Sequence, residues 1–85
     1  MLIKDQIAQR IQAGLSPERL EVLDESEQHL GHAGYRDGGQ SHFRVRMACA
    51  SLSGLSRIGR HRAVHDAIGK PLMQDIHALA IEFIE

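Results

Sequence analysis

The chain predicts a small α+β domain, an α/β sandwich in which a three-stranded mixed sheet carries its helices on one face. Three patterns point there. Ile3, Ile7, Ile11 and Leu15 recur every four residues, the spacing of one buried helical stripe. Phe43, Val45, Met47 and Cys49 alternate with Arg44, Arg46 and Ala48, the period of a strand with one apolar face. Leu79, Ile81 and Phe83 alternate in the same way near the C-terminus, and a stretch of helical spacing separates the two runs.

Taken in order, the first helix ends near Gly14 and Ser16-Pro17, residues that stop helices. Leu20 to Asp24 reads as a short strand. The stretch from Glu25 to Gln40 is polar and holds four glycines, Gly31, Gly34, Gly38 and Gly39. A connection of that length inside a compact domain tends to be functional or disordered. The alternating strand follows, then a turn over Ser51 to Gly54. Ile58, His61, Val64 or His65, and Ile68 fit a second helix, which Gly69 and Pro71 close or kink. Two strands joined through such a helix run parallel. The resulting order is helix, strand, strand, helix, strand, with one sheet face left open and residues 1–85 forming one domain.

Composition narrows the function classes. A hydrophobic fraction of 42% and a charged fraction of 25% are ordinary for a soluble globular chain. No run approaches the length of a membrane span, and Met1-Leu2-Ile3-Lys4-Asp5 lacks the layout of a secretory signal. Cys49 is the single cysteine, which excludes an internal disulfide framework and fits a reducing compartment. The expectation is a cytoplasmic protein that does not touch membranes. The net charge of −1 argues against a dedicated nucleic-acid binder. Even so, Arg44, Arg46, Arg57, Arg60 and Arg62 gather within nineteen positions and leave room for a local basic face.

The chemistry-bearing residues are the six histidines. His29 and His32 flank a short stretch of the glycine-bearing loop, close enough to reach a shared point. Solvated loop histidines are the ordinary reading of such a pair, and two imidazoles fall short of a closed tetrahedral site. His77 stands just before the last strand and, counted by twos, shares the face of Leu79, Ile81 and Phe83, half-buried at the rim. Should the loop return beside that strand end, His29 or His32 meets His77 and an open, shared site forms. His61 lies on the apolar spacing of the second helix and suits a packed role. Arg60 and Arg62 are expected to be exposed, with guanidinium forks suited to phosphate or a partner's carboxylate. Cys49 faces inward and is expected to be inert. No triad or carboxylate pair has credible spacing, so no catalytic residue is assigned and the chain is not expected to be an enzyme.

Ser41-His42-Phe43, Ser51-Leu52-Ser53-Gly54, Arg60-His61-Arg62-Ala63-Val64 and His77-Ala78-Leu79, preceded by Asp24-Glu25-Ser26 and the histidine-bearing loop, resemble the BolA family in order and spacing over essentially the whole chain. Leu52 stands where the family commonly has phenylalanine, and Val64-His65 where an aromatic is usual. The resemblance implies a K-homology-like (class II) domain, in agreement with the element order. It also implies a partner of monothiol glutaredoxins that shares a bridging 2Fe-2S cluster with glutaredoxin and glutathione. The function that follows is iron–sulfur cluster assembly or delivery, or iron homeostasis. The family's ligand at the last strand corresponds to His77. Its loop ligand corresponds best to His29, with His32 a close rival. Mixed imidazole and thiolate ligation suits such clusters and shifts their potential. Arg60 and Arg62 would help dock the partner.

The alternative is a DNA-binding transcriptional regulator using the K-homology-like surface, with Arg44, Arg46, Arg57, Arg60 and Arg62 as phosphate contacts. Alone, the chain is expected to be a monomer or a weak homodimer.

Overall fold

The computed structural model describes residues 2–25 and 42–84. Helix α1 spans Ile3–Leu15 and buries Ile7 and Ile11, the centre of the isoleucine stripe. It ends at Ser16, whose N–H makes the last helical bond to the Gln12 carbonyl at 3.1 Å while its left-handed backbone (φ 48°) turns the chain out of the helix. Pro17 has no N–H with which to carry the helix further. Gly14 does not terminate the helix. It sits in the last turn, where an added Cβ would lie 3.2 Å from the Cβ of Ala67. Its role is close approach to the second long helix.

Strand β1 covers Arg19–Asp24 and β2 covers His42–Ala48. The chain then makes a 3-10 turn over Ala50–Leu52 and enters helix α2, Arg57–Ile68. Ser56 caps α2, its hydroxyl accepting from the Gly59 N–H at 3.0 Å. The helix thus begins a turn earlier than the Arg60-His61-Arg62 stretch, which occupies its interior. Gly69, at φ 88° and ψ 149°, holds a conformation reserved for glycine. It separates α2 from a four-residue helix, α3, Lys70–Met73, with Pro71 in its first turn. Strand β3 follows over Ala78–Phe83. The kink expected at Gly69 and Pro71 is therefore a break followed by a separate short helix.

The sheet order is β1-β2-β3. The pair β1 and β2 is antiparallel, with Val22 opposite Val45. The pair β2 and β3 is parallel, with His42 opposite Ala78 and Val45 opposite Ile81. The fold is therefore α+β with a mixed sheet, as the patterns require. One core joins Ile7 and Ile11 of α1, Phe43, Val45 and Met47 of β2, Val64 and Ile68 of α2, and Leu72, with Leu20, Val22, Leu79, Ile81 and Phe83 packed against it. The described helices thus cover one sheet face.

The opposite face carries ions. Arg44 Nε contacts Glu25 Oε2 at 3.0 Å and Arg44 Nη1 contacts Glu82 Oε2 at 3.1 Å. Arg46 contacts Glu21 at 3.4 Å and Glu82 at 3.5 Å. Pairs on a solvent-facing surface such as this add little to stability. Hydrogen bonding to Glu25 and the charge of that carboxylate push the Arg44 guanidinium further above its ordinary range, with Glu82 adding to both effects.

Ile58 departs from the sequence reading. It was assigned to the apolar stripe of α2, yet it is 65% exposed, and the buried stripe consists of Val64 and Ile68. Replacing Ile11 with alanine is therefore expected to lower the unfolding free energy by about 2–5 kcal/mol. The same change at Ile58 should alter it by less than about 0.5 kcal/mol. Urea unfolding followed by far-ultraviolet circular dichroism measures both, and equal losses would contradict this core.

Candidate functional site

The N-terminal ends of the two parallel strands lie side by side. Because His42 pairs in register with Ala78, the residue preceding β3, His77, is brought against the first residue of β2. The ring centroids of His42 and His77 are 5.0 Å apart and their planes are inclined by 56°. The two imidazoles differ in environment. His42 is buried at 5% exposure, whereas His77 is exposed. His77 is thus more open than the half-buried placement that counting by twos suggested.

This corner also receives both ends of the segment 26–41. The Glu25 N–H donates to the His42 carbonyl at 2.8 Å, which ties the exit of β1 to the entrance of β2. His29 and His32 lie outside the described residues. Among the described residues no cluster of three or more histidine, cysteine or carboxylate side chains is present. His77 and His42 alone therefore do not close a coordination sphere, and a metal held there would draw its remaining ligands from other residues or another molecule. An exposed imidazole at a strand entrance can offer a donor atom outward.

The remaining histidines are elsewhere. The ring of His61 packs on Phe83, at the far end of β3, with centroids 5.8 Å apart and planes inclined by 58°. Burial lowers the His61 pKa from its ordinary value, and the nearby positive groups Arg57, His65 and Arg60 lower it further. A packed role for His61 is what its helical spacing suggested. Arg60 differs from expectation. It is half-buried rather than exposed, its guanidinium lies 4.9 Å from the centroid of the Phe83 ring, and its Nε is buried without a hydrogen-bond partner. The long stem and planar head allow an arginine to lie over an aromatic ring and shed water. Arg62 is exposed. Cys49 is half-buried, with Sγ 3.5 Å from the Leu15 carbonyl and 3.2 Å from the Ser51 hydroxyl.

The five clustered arginines do not share one face. Arg44 and Arg46 are on the open side of the sheet, held by Glu21, Glu25 and Glu82. Arg57, Arg60 and Arg62 are on α2, across the core. Sequence reasoning also missed His42. The signal was available, since two strands inferred to be parallel each open at a histidine, in Ser41-His42-Phe43 and His77-Ala78-Leu79.

A three-stranded mixed sheet backed by helices, with an exposed histidine at the entrance of its last strand, defines a K-homology-like module with an imidazole corner. The sequence profile of the BolA-like protein family matches residues 11–84, and the chain belongs to that family. It is 43% identical over 83 residues to an uncharacterized protein in the cobS 5' region of a Sinorhizobium species, spanning 96% of this chain and 89% of that one. It is 38% identical over 79 residues to SufE-like protein 1, chloroplastic/mitochondrial, of Arabidopsis thaliana, covering 88% of this chain but only 21% of that protein's length. The DNA-binding transcriptional regulator BolA of Escherichia coli is 33% identical over 95% of this chain and 73% of its own. Among solved structures, the BolA domain of SufE1 from Arabidopsis thaliana superposes with a TM-score of 0.77 at 34% identity, over 94% of this chain and 87% of that domain.

The His61 environment yields a pH prediction. The unfolded chain takes up a proton near the ordinary imidazole value, while the folded chain resists it until a lower pH. His61 should therefore cost stability as pH falls through about 6.5, the loss growing until the folded-state pKa is passed. Following histidine ring carbon-bound protons by NMR should give His61 a midpoint below that of a solvated histidine. A midpoint at or above the ordinary value would contradict the packing on Phe83.

Proposed function

We propose that this BolA-like chain is a non-enzymatic partner of a monothiol glutaredoxin and co-ligates a bridging 2Fe-2S cluster with it, in cluster assembly or delivery or in iron homeostasis. The observation that carries the reading is the exposure of His77 beside His42, at the corner where the segment bearing His29 and His32 leaves and rejoins the sheet. The chain supplies imidazole and lacks a second cysteine, so thiolates come from the glutaredoxin and glutathione. Within the family resemblance, His77 is the ligand of the last strand and His29 the loop ligand, with His32 as its substitute.

The donor set fits the group. A bound cluster supplies electron-accepting, thiolate-exchangeable iron, and neutral imidazole is an accepted ligand in mixed sites. The chain's own part is to hold an imidazole outward at a rigid strand end. The His42 ring lies beside it, with centroids 5.0 Å apart. Arg62 remains solvent-facing and suits a partner's carboxylate. Arg60, lying over Phe83, contributes to docking through shape more than through free charge. The compartment proposed is the cytoplasm. Among the described residues no helix is long and apolar enough to cross a membrane.

The test is anaerobic reconstitution with a monothiol glutaredoxin and glutathione, followed by visible absorption and circular dichroism. His77→Ala is expected to abolish most of the shared-cluster spectrum while leaving the far-ultraviolet spectrum intact. His29→Ala is expected to weaken it more than His32→Ala does. Occupancy should fall as pH drops through the imidazole range, since ligation needs the neutral ring. An unchanged spectrum in His77→Ala would refute the assignment.

A second reading, DNA binding in transcriptional regulation, is favoured by the name of the Escherichia coli relative. The geometry supplies fewer phosphate contacts than the sequence suggested, because glutamates hold Arg44 and Arg46. What is left is the α2 set of Arg57, Arg60 and Arg62. Such binding should weaken steeply with salt through counterion release. A mobility shift at micromolar protein that shows no salt-sensitive complex would remove this reading.

A further inference from the structure

Charge is divided unevenly over this molecule. On the open sheet face, two arginines meet three glutamates. On α2, Arg57, Arg60 and Arg62 stand against one acid, Asp66. Among the described residues neither Arg57 nor Arg62 has an ion-pair partner. The lowered His61 pKa has Arg57, His65 and Arg60 among its causes, which is the signature of a positive local potential.

Two aliphatic side chains at the start of this helix are exposed. Ile58 is 65% exposed and Leu55 is 47% exposed. Leu55 lies against Gly59, where an added Cβ would sit 3.4 Å from the Leu55 Cβ. Leu55 is further held by its N–H bond to the Leu52 carbonyl at 3.0 Å. Alongside runs a shallow groove of about 230 Å³ lined by Arg57, Ile58, His61, Arg62 and His65. Exposed aliphatic groups rimmed by arginine have the composition of a protein-binding patch. A nucleic-acid backbone gains nothing from burying isoleucine and leucine, and the described lining holds two imidazoles but no phenylalanine, tyrosine or tryptophan, the broader platforms on which bases stack.

We infer that the Leu55–Ile58 ledge and the arginine-rimmed groove on α2 dock an acidic amphipathic protein segment. Its apolar side chains cover Leu55 and Ile58, and its carboxylates pair with Arg57 and Arg62. Asp66 sets the boundary, because a carboxylate reaching that side meets like charge. The surface includes neither His77 nor His42, so it stands whether or not the chain shares a cluster.

The test uses the full chain, isotopically labelled, with three probes: a synthetic amphipathic peptide bearing leucines and glutamates, the same peptide with lysine for each glutamate, and a short DNA duplex. The acidic peptide should shift amide resonances from Leu55 to His65 in a saturable way, and the lysine peptide should not. Arg57→Glu combined with Arg62→Glu should weaken the acidic peptide by roughly tenfold or more and allow the lysine peptide to bind. Ile58→Ala should weaken it with little change in stability, since that side chain is exposed. Indifference to peptide charge, shifts confined to other surfaces, no shift at all, or preferential binding of the duplex to this patch would each overturn the inference.

Discussion

The parallel pairing of β2 with β3 is the constraint on which the rest of this molecule depends. It is fixed from both faces of the sheet. On one, Phe43, Val45 and Met47 enter the core alongside Leu79, Ile81 and Phe83. On the other, Arg44 and Arg46 share Glu82. Sliding β2 by one residue would drive both guanidinium groups into the core and expose the apolar set. That penalty far exceeds anything the exposed ion pairs supply. The register that satisfies the core also brings His42 to Ala78 and hence its ring to His77. The imidazole corner is thus a consequence of core packing, and it forms wherever the sheet forms.

The described helices complete this arrangement by packing on one sheet face only. Gly14 against Ala67 draws α1 and α2 together over the core, and Gly69 lets the chain turn from α2 into α3 before β3 begins. The outcome is a division of surfaces. The strand entrances present histidine, the open sheet face presents matched ions, and α2 presents unmatched arginine around exposed aliphatic groups.

Strong periodicity made much of this readable beforehand. α1 and β2 announce themselves because an isoleucine stripe and a seven-residue alternation admit one period each. α3 does not, since four residues cannot display a helical repeat. Ile58 misled because it fits the spacing of α2 at its first turn, where the helix has already passed the edge of the core. Arg60 misled because an arginine's stem can be buried while its head rests on Phe83. His77 was legible as a candidate from its place before a strand. The closeness of His42 was not legible from either histidine alone, because it is a fact about pairing between distant strands. His29 and His32 belong to the segment outside the described residues, whose flanking residues Glu25 and His42 are joined by a backbone hydrogen bond.

The most direct test of the central claim is pulsed electron paramagnetic resonance on the reduced complex of this chain with a monothiol glutaredoxin, the chain carrying histidine labelled with nitrogen-15. Hyperfine coupling from labelled imidazole nitrogen, lost on His77→Ala, is the predicted result. A reduced cluster that forms in the complex and shows no coupling to labelled histidine would contradict it.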